Sequence, residues 1–187
     1  LEISTNSDQP SSPTENLLNF ASPLTPPEWT DEGKIPLNFA SQYMKASAKE
    51  NPISLRSEQD RLFLDLPEKM KQSQSVITRA FPVTPGKLLF PEVELRTHQL
   101  DACTLVPIVH FYDQQNRSVG QVIYSQMPVA KRHTMWTRRF GTVAVPQDAA
   151  SALLMLFINS PKDYTPPEGA SFEIRKIRLT RQPGGTP

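Results

Sequence analysis

The side chains of this sequence best suited to binding chemistry cluster in the middle of the chain. Carboxylates and guanidinium groups can bond sugar hydroxyls in a two-pronged manner, and aromatic rings can stack on the apolar face of a pyranose. Together these groups have the chemistry that sugar recognition needs. The candidates of these types are Glu92, Glu94, Arg96, His110, Tyr112, Tyr124 and Trp136.

The spacing of these candidates is typical of β-strands. In residues 88–98, apolar residues such as Leu95 alternate with the charged candidates along the chain. This alternation is expected of a strand with one buried face. In residues 104–112, His110 and Tyr112 fall on the same side of the strand as several apolar residues. The other side is apolar too, so both sides of that strand are largely apolar. The sequence shows which residues of a single strand point to the same side, but it does not show how neighbouring strands are aligned. Whether the candidates share one face of the sheet therefore stays open.

The charged candidates have a structural alternative to ligand binding. Glu92, Glu94 and Arg96 can equally form a solvated sheet face with cross-strand ion pairs, and outward polar residues are common in antiparallel sheets. Tyr112 would then cap a turn.

Trp136 also has two interpretations. It is either an exposed stacking platform flanked by Arg138 and Arg139 or, together with Phe140, a cover for one end of the core, as large aromatic residues often are. Exposure of Trp136 or Tyr124 beside carboxylates would favour a sugar site, and burial would favour a structural role.

Short β-rich segments bounded by turn residues predict an antiparallel β-sandwich of the jelly-roll type, with about ten strands and little helix. Residues 151–159 are mostly apolar, which predicts a central strand buried on both faces. The apolar parity changes between Ile174 and Ile177, which predicts a β-bulge near Arg175 or Lys176. Further strands are expected over residues 53–56, 61–66, 75–83, 119–124 and 135–145. In residues 16–29, a short apolar strand is expected to run into a proline-rich bend that ends at Trp29.

The chain has the length of one ordinary domain. Its 187 residues include 19 prolines, which disfavour long helices. Residues 1–15 and 181–187 have the polar composition of a flexible linker and a flexible tail, around a domain at residues 16–180. Residues 39–50 carry good helix formers, so one short helix or an ordered loop is expected there.

Charge and composition narrow the classes of function. The 20 basic and 19 acidic residues give a net charge of +1, so no global field attracts nucleic acid, an anionic membrane or an acidic substrate, and partner choice must be local. The single Cys103 excludes an intramolecular disulfide and is expected to be a buried, inert thiol. No apolar run approaches the roughly 18 residues of a membrane span.

Catalytic and metal-binding motifs are missing from the sequence. The three histidines are far apart, whereas metal sites usually show close pairs. A glycosidase needs two carboxylates at a defined separation in space, which Glu92 and Glu94 on one strand face would meet only by chance. The sequence therefore predicts a protein that is not an enzyme and that needs no cofactor.

Four segments occur in an order that resembles jelly-roll carbohydrate-binding modules of the cellulose- and xylan-binding type, which have a galactose-binding-domain-like sandwich. They read AFPVTPGKLLFPEVELR, VHFYDQQNRSVG, TMWTRRFGTVAVPQDAASALLMLFIN and SFEIRKIRL. They contain a Pro-Gly turn before a strand, a Phe-Tyr-Asp turn, a Trp strand, a Pro-x-x-Ala turn and a terminal amphipathic strand. Residues 16–18 and Trp29 are similar to the family's opening strand, so the resemblance covers residues 16–180.

The resemblance implies a non-catalytic module that tethers a larger secreted or surface protein to a polysaccharide. Its partners would be a polysaccharide or oligosaccharide and other domains of the same parent protein. It would lie outside the cell, at the cell surface or in the periplasm. The alternative is a structural or protein-interaction β-sandwich with no glycan ligand.

The family's structural calcium is not expected in this chain. In the family, acidic residues on the opening and closing strands help to hold the ion. Here Phe20 is followed by Ala21 and Ser22, and the closing strand offers only Glu173. A hard cation that requires six or more oxygen ligands would be poorly served by these side chains.

Overall fold

The computed structural model describes residues 44–59, 61–78 and 80–181, which form strands and contain no helix. The predictions for residues 1–43 and 182–187 lie outside the described residues. Within the described part, no helix is long and apolar enough to cross a membrane. The strands in chain order are β1 (Met44–Ala46), β2 (Ser54–Glu58), β3 (Arg61–Asp65), β4 (Gln74–Thr78), β5 (Phe81–Pro82), β6 (Leu88–His98), β7 (Thr104–Tyr112), β8 (Ser118–Ile123), β9 (Thr137–Phe140), β10 (Val143–Ala144), β11 (Ser151–Asn159) and β12 (Ser171–Arg181).

Two antiparallel sheets make up the sandwich. Sheet I has the order β10-β6-β12-β3-β2, with β9 also paired to β6. Sheet II has the order β1-β4-β11-β7-β8, with β5 paired to β11. The predicted all-β antiparallel sandwich is therefore confirmed.

The core lies between the sheets and is built by the alternation that the sequence predicts. Val76, Leu156 and Pro107 are register partners across the inner side of sheet II. Leu95 and Ile174 are register partners in sheet I, and both are fully buried. Since every second side chain of each strand points inward, the intervening residues form the two outer faces of the sandwich.

One local prediction is confirmed. The register of β12 against β6 shifts between Ile174 and Lys176, at the predicted bulge. A hairpin joins β7 to β8, and in its turn the Asp113 carboxylate accepts hydrogen bonds from the backbone N–H groups of Gln115 and Arg117.

One local prediction is wrong, and the number of strands is slightly higher than expected. Residues 44–46 form β1 instead of part of a helix, because their backbone pairs with the free edge of β4. The described residues contain twelve strands where about ten are expected. One cause is that the predicted strand over residues 135–145 is interrupted at Gly141, where a Cβ atom would lie 2.2 Å from the carbonyl oxygen of Tyr124. The close approach of the Tyr124 carbonyl group leaves no room for a side chain at Gly141, which lies between β9 and β10.

Candidate functional site

The outer face of sheet I, here called face I, carries a row of polar and aromatic side chains across four strands. Arg56 of β2 is the register partner of Phe63 in β3, and Phe63 is the partner of Glu173 in β12. Glu173 is in turn the partner of Arg96 in β6. Directly paired residues have side chains close enough to interact, so these four form one continuous strip.

Glu173 is the centre of this strip. Its side chain is only 5% exposed, and its Oε2 lies 2.6 Å from both Arg96 Nε and His98 Nε2. Arg61 Nε lies 3.4 Å from the other carboxylate oxygen. Burial alone would raise the pKa of Glu173, but the hydrogen bonds from Arg96 and His98 outweigh it and hold the pKa below its usual value. Glu173 is therefore a fixed anion.

Trp136 lies on face I beside this anion and is half-buried. The guanidinium carbons of Arg175, Arg96 and Arg61 lie 4.5, 4.7 and 5.2 Å from the centre of its ring. These are cation–π distances. The neighbours of the Trp136 ring are thus not the predicted Arg138 and Arg139, but arginines from three other strands.

An open groove of about 680 Å³ runs beside Trp136 and is lined by Glu58, Gln59, Arg61, Phe63, Arg96 and Glu173. The Phe63 ring has the Arg56 guanidinium at 4.1 Å and the His98 ring at 6.3 Å. A second groove of about 660 Å³, at the β7–β8 turn, has no aromatic residue in its lining. The face I groove is therefore the better suited to stacking.

Glu92 and Glu94, the carboxylates predicted from sequence, also lie on face I, but in ion pairs. Glu92 Oε1 lies 2.8 Å from both Arg138 Nε and Lys176 Nζ, and its side chain is only 7% exposed. Burial opposes its ionisation, yet hydrogen bonds from these two cations hold the pKa of Glu92 below its usual value. Arg175 donates a hydrogen bond of 2.6 Å to Glu94 and lowers the pKa of that carboxyl group. The cross-strand ion pairs left open by the sequence are thus present.

The outer face of sheet II, here called face II, is largely apolar. One row of register partners crosses the whole sheet and consists of Lys45, Ile77, Met155, Ile108 and Ile123. The neighbouring row pairs Phe157 with Val106. The largely apolar character predicted for both sides of β7 is therefore observed.

His110 and Tyr112 lie at the β7–β8 end of face II. Their rings stack with centroids 4.6 Å apart, and His110 Nε2 lies 2.7 Å from Ser118 Oγ. Burial lowers the pKa of His110. Because face II is on the opposite side of the sandwich from face I, these two residues cannot join Trp136, Glu92, Glu94 and Arg96 in one binding surface.

Tyr124 belongs to neither face. Its side chain is only 6% exposed, and its hydroxyl group has no hydrogen-bond partner among the described residues. Burial, reinforced by the charge of Glu92, raises the pKa of Tyr124 far above its usual value. Phe140, in contrast, is more exposed than a residue that covers the core would be. It is 60% exposed, with the Arg138 guanidinium over its ring.

Several residues of the face I site were not among the candidates predicted from sequence. Phe63 and Arg61 have the outward parity of β3, opposite to the buried Leu62 and Leu64. That alternation was a usable signal for an outward aromatic residue. No comparable signal places Phe63 next to Glu173, because that contact depends on the pairing of β3 with β12.

The closing-strand carboxylate does not fit a calcium ion. Glu173 already contacts Arg61, Arg96 and His98, so a divalent cation would displace favourable partners and face their positive charges. Among the described residues, no group of three or more acidic, histidine or cysteine side chains could hold a metal ion.

Comparisons with known proteins establish the fold alone. No protein-family model matches the sequence, and no curated protein matches it. Among solved structures, the CBM22-1–GH10 modules of a Clostridium thermocellum endo-1,4-β-D-xylanase complexed with xylohexaose align with a TM-score of 0.54 and 10% identity over 79% of this chain. A CBM4 structure aligns with a TM-score of 0.51 and 10% identity over 75% of this chain and 96% of its own length.

A third similar structure comes from a different kind of protein. The enzymatically active domain of bacteriophage CBA120 tailspike protein 4 aligns with a TM-score of 0.52 and 12% identity over 74% of this chain. This chain spans only 19% of that tailspike chain and 27% of the xylanase chain. The described sandwich thus has the jelly-roll fold of carbohydrate-binding modules, and at such identities function must be argued from the site itself.

Proposed function

We propose that this protein is a non-catalytic carbohydrate-binding module whose ligand lies in the groove of face I. The observation that carries the proposal is one open groove lined by Phe63, Arg96 and Glu173, with Trp136 in contact with the Arg96 guanidinium of its wall. The Phe63 ring has a single guanidinium over it and lines the groove, so it offers a stacking surface for a pyranose, whereas the Trp136 ring supports the arginines beside it. The planar charged groups offer donors and acceptors for the sugar hydroxyls. Glu92 and Glu94 extend this polar surface.

The electrostatics of face I support binding without catalysis. Hydrolysis of a glycosidic bond requires one carboxylic acid that stays protonated to donate a proton to the leaving group. The pKa values of Glu92, Glu94 and Glu173 are instead all lowered by cationic neighbours, so these groups remain anionic. They can accept hydrogen bonds from sugar hydroxyls but cannot serve as the acid.

Tethering of a larger parent protein to a polysaccharide outside the cell is part of the same proposal. It is supported by the composition of residues 1–15 and 182–187, which is that of interdomain linkers. The similar xylanase structure combines a CBM22-1 module with a GH10 module in one protein. Secretion of the parent protein into the culture medium is the corresponding expectation.

The experiment is a glycan array on the whole chain, followed by calorimetry with the best polysaccharide ligand. Phe63→Ala and Trp136→Ala should each weaken binding by about 1 to 3 kcal/mol, by analogy with the stacking of bases on aromatic residues. The matched control is Tyr112→Ala on face II, which should leave the affinity unchanged. Tyr124→Ala should lower the melting temperature instead, because Tyr124 is buried.

A structural or protein-interaction module is the second candidate, and the apolar row on face II favours it. In that row Ile123 is exposed, Ile77 and Met155 are half-buried and Ile108 is buried. Partly exposed apolar surface of this kind can form an interface between proteins. Loss of glycan binding in Tyr112→Ala but not in Phe63→Ala would move the site to face II. Absence of binding to every glycan on the array would contradict the carbohydrate proposal and leave the interaction module.

A further inference from the structure

The net charge of +1 conceals an uneven distribution of charge along the chain. Residues 114–147 contain no Asp or Glu, although the chain has 19 acidic residues in all. The same stretch carries five permanent cations, which are Arg117, Lys131, Arg132, Arg138 and Arg139. Such a stretch creates a local positive potential on whatever surface it forms, whatever the net charge of the whole protein.

Residues 123–140, here called the basic edge, form one border of the sandwich. Arg139 Nε donates a hydrogen bond of 2.8 Å to the carbonyl oxygen of Met127, which ties the loop after β8 to β9. The backbone N–H of Thr97 in β6 donates a hydrogen bond of 2.9 Å to the carbonyl oxygen of His133. Residues distant in sequence thus lie together along the β6 border of sheet I.

Three of the four permanent cations of the basic edge have no carboxylate partner among the described residues. Arg138 pairs with Glu92, but no ion pair involves Lys131, Arg132 or Arg139 in the described ranges of the chain. Arg139 Nη2 lies 3.0 Å from His133 Nε2.

Burial, and then the charge of Arg132, lower the pKa of Arg139. Burial also lowers the pKa of His133, and the charges of Arg139 and Arg132 lower it further. These neighbouring positive groups repel one another, so an external anion would stabilise their charged forms.

Exposed apolar side chains lie in the same segment. All four large hydrophobic residues that are exposed within the described ranges fall within residues 123–140. Ile123 is on face II and Phe140 on face I, whereas Met127 and Met135 lie in the loop between β8 and β9. Met135 is 79% exposed, Phe140 60% and Met127 58%. The rest of the described surface holds no apolar side chain of this size at comparable exposure, so the edge differs from its surroundings in both charge and hydropathy.

We propose that the basic edge binds the surface of an anionic lipid bilayer. Lys131, Arg132 and Arg139 would face the phosphate and carboxylate groups of the lipids, and Met127 and Met135 would enter the boundary between headgroups and acyl chains. Basic residues beside exposed apolar ones are the usual means by which a protein lies on a membrane without crossing it.

A soluble polyanion fits the basic edge less well than a bilayer does. A polyanion such as an acidic polysaccharide or a nucleic acid would neutralise the cations but would leave Met127 and Met135 in water. A bilayer satisfies both sets of side chains at once. The two kinds of partner also differ in salt dependence, because purely ionic binding is abolished by salt whereas burial of apolar groups persists.

The test is co-sedimentation of the whole chain with vesicles of phosphatidylcholine containing phosphatidylglycerol, compared with vesicles of phosphatidylcholine alone. Binding is expected only to the anionic vesicles. The double variant Lys131→Gln/Arg132→Gln should bind at least about tenfold more weakly, given the contribution of each cation near an anionic surface. The matched control Lys69→Gln/Lys162→Gln removes two exposed cations elsewhere and should have a clearly smaller effect.

A second variant separates the bilayer from a polyanion. Met127→Ser/Met135→Ser keeps every charge and should lose the binding that remains at high salt. In a Trp29→Phe background the emission of Trp136, the neighbour of Met135, should shift to the blue on anionic vesicles.

Absence of binding to anionic vesicles would overturn the proposal. So would equal binding of the serine variant and the original protein, particularly if dextran sulfate competes with the vesicles. Because no glycan enters this experiment, its failure is independent of the carbohydrate proposal.

Discussion

Face I and face II cover the same core from opposite sides, but their chemistry differs. On face I, outward residues form rows of alternating charge, such as Lys176, Glu94 and Arg138 across three strands. On face II, the corresponding row runs through Ile77, Met155 and Ile108. Polar side chains at intermediate exposure allow a face to hold a ligand in a fixed orientation, whereas an apolar face favours contact with another large surface. The inner sides of the two sheets give no indication of this difference, because both are filled with apolar residues.

The largest expected effect tests whether face II is truly an outer surface. Leu156 and Met155 are neighbours on β11, and Leu156 is fully buried in the core whereas Met155 points outward. Leu156→Ala should lower the free energy of unfolding by about 2 to 5 kcal/mol because it leaves a cavity. Met155→Ala should cost less than about 1.5 kcal/mol, since its side chain already borders solvent. Both values come from denaturant unfolding followed by circular dichroism.

Equal costs for the two variants would break the comparison between the faces. They would mean that Met155 is covered as completely as Leu156, and that face II is not available to a partner. A cost below about 1 kcal/mol for Leu156→Ala would instead contradict the burial of the central strand.

A smaller effect is expected when the central anion of face I loses its charge. Glu173→Gln keeps the shape of the side chain but leaves Arg96, His98 and Arg61 without their shared carboxylate. Removal of one partner from a buried ion pair is costly, but these cations are about one-third exposed and are partly screened by water. The expected loss is about 1 to 3 kcal/mol in the free energy of unfolding.

The same variant should respond differently to acid. The pKa of Glu173 is lower in the folded protein than its unfolded value, so its contribution to stability is complete above roughly pH 5 and is lost as the pH falls through the folded pKa. The difference in melting temperature between the original protein and Glu173→Gln should therefore shrink in acid. A difference that stayed constant down to about pH 2 would show that Glu173 is not a stabilising anion.

Alternation along each strand was enough to predict which residues of β6 point outward, and the parity change in β12 was enough to locate its bulge. Both signals are local, because they depend on the geometry of a single strand. The meeting of Phe63 with Glu173 depends on the pairing of β3 with β12, which parity does not encode. The separation of His110 and Tyr112 from Arg96 has the same cause, since β6 and β7 are consecutive in sequence but belong to different sheets.

Tyr124 shows a different limit of sequence reasoning. Its backbone N–H donates to the carbonyl oxygen of Pro107, while its own carbonyl group packs against Gly141 at the border of sheet I. The chain thus leaves sheet II at this residue. Side chains alternate between inward and outward only within a strand, so this alternation does not predict where the Tyr124 side chain points. The burial of Tyr124 depends on this crossing, which only the three-dimensional arrangement reveals.

The smallest expected effect is a second pH dependence, which belongs to face II. Burial holds the pKa of His110 below its usual value, so the imidazole is neutral in the folded protein near neutral pH. Because an unfolded histidine takes up a proton more readily, its contribution to stability is present above about pH 6.5 and is lost as the pH falls below that value. His133 has a lowered pKa too, so part of the decline in stability should remain when His110 is replaced.

The melting temperature of the original protein should therefore fall slightly more between about pH 7.5 and pH 5.5 than that of His110→Gln. Identical declines would mean that His110 is as accessible to protons in the folded chain as in the unfolded one. The β7–β8 end of face II would then be more accessible to solvent than the stacked rings of His110 and Tyr112 imply.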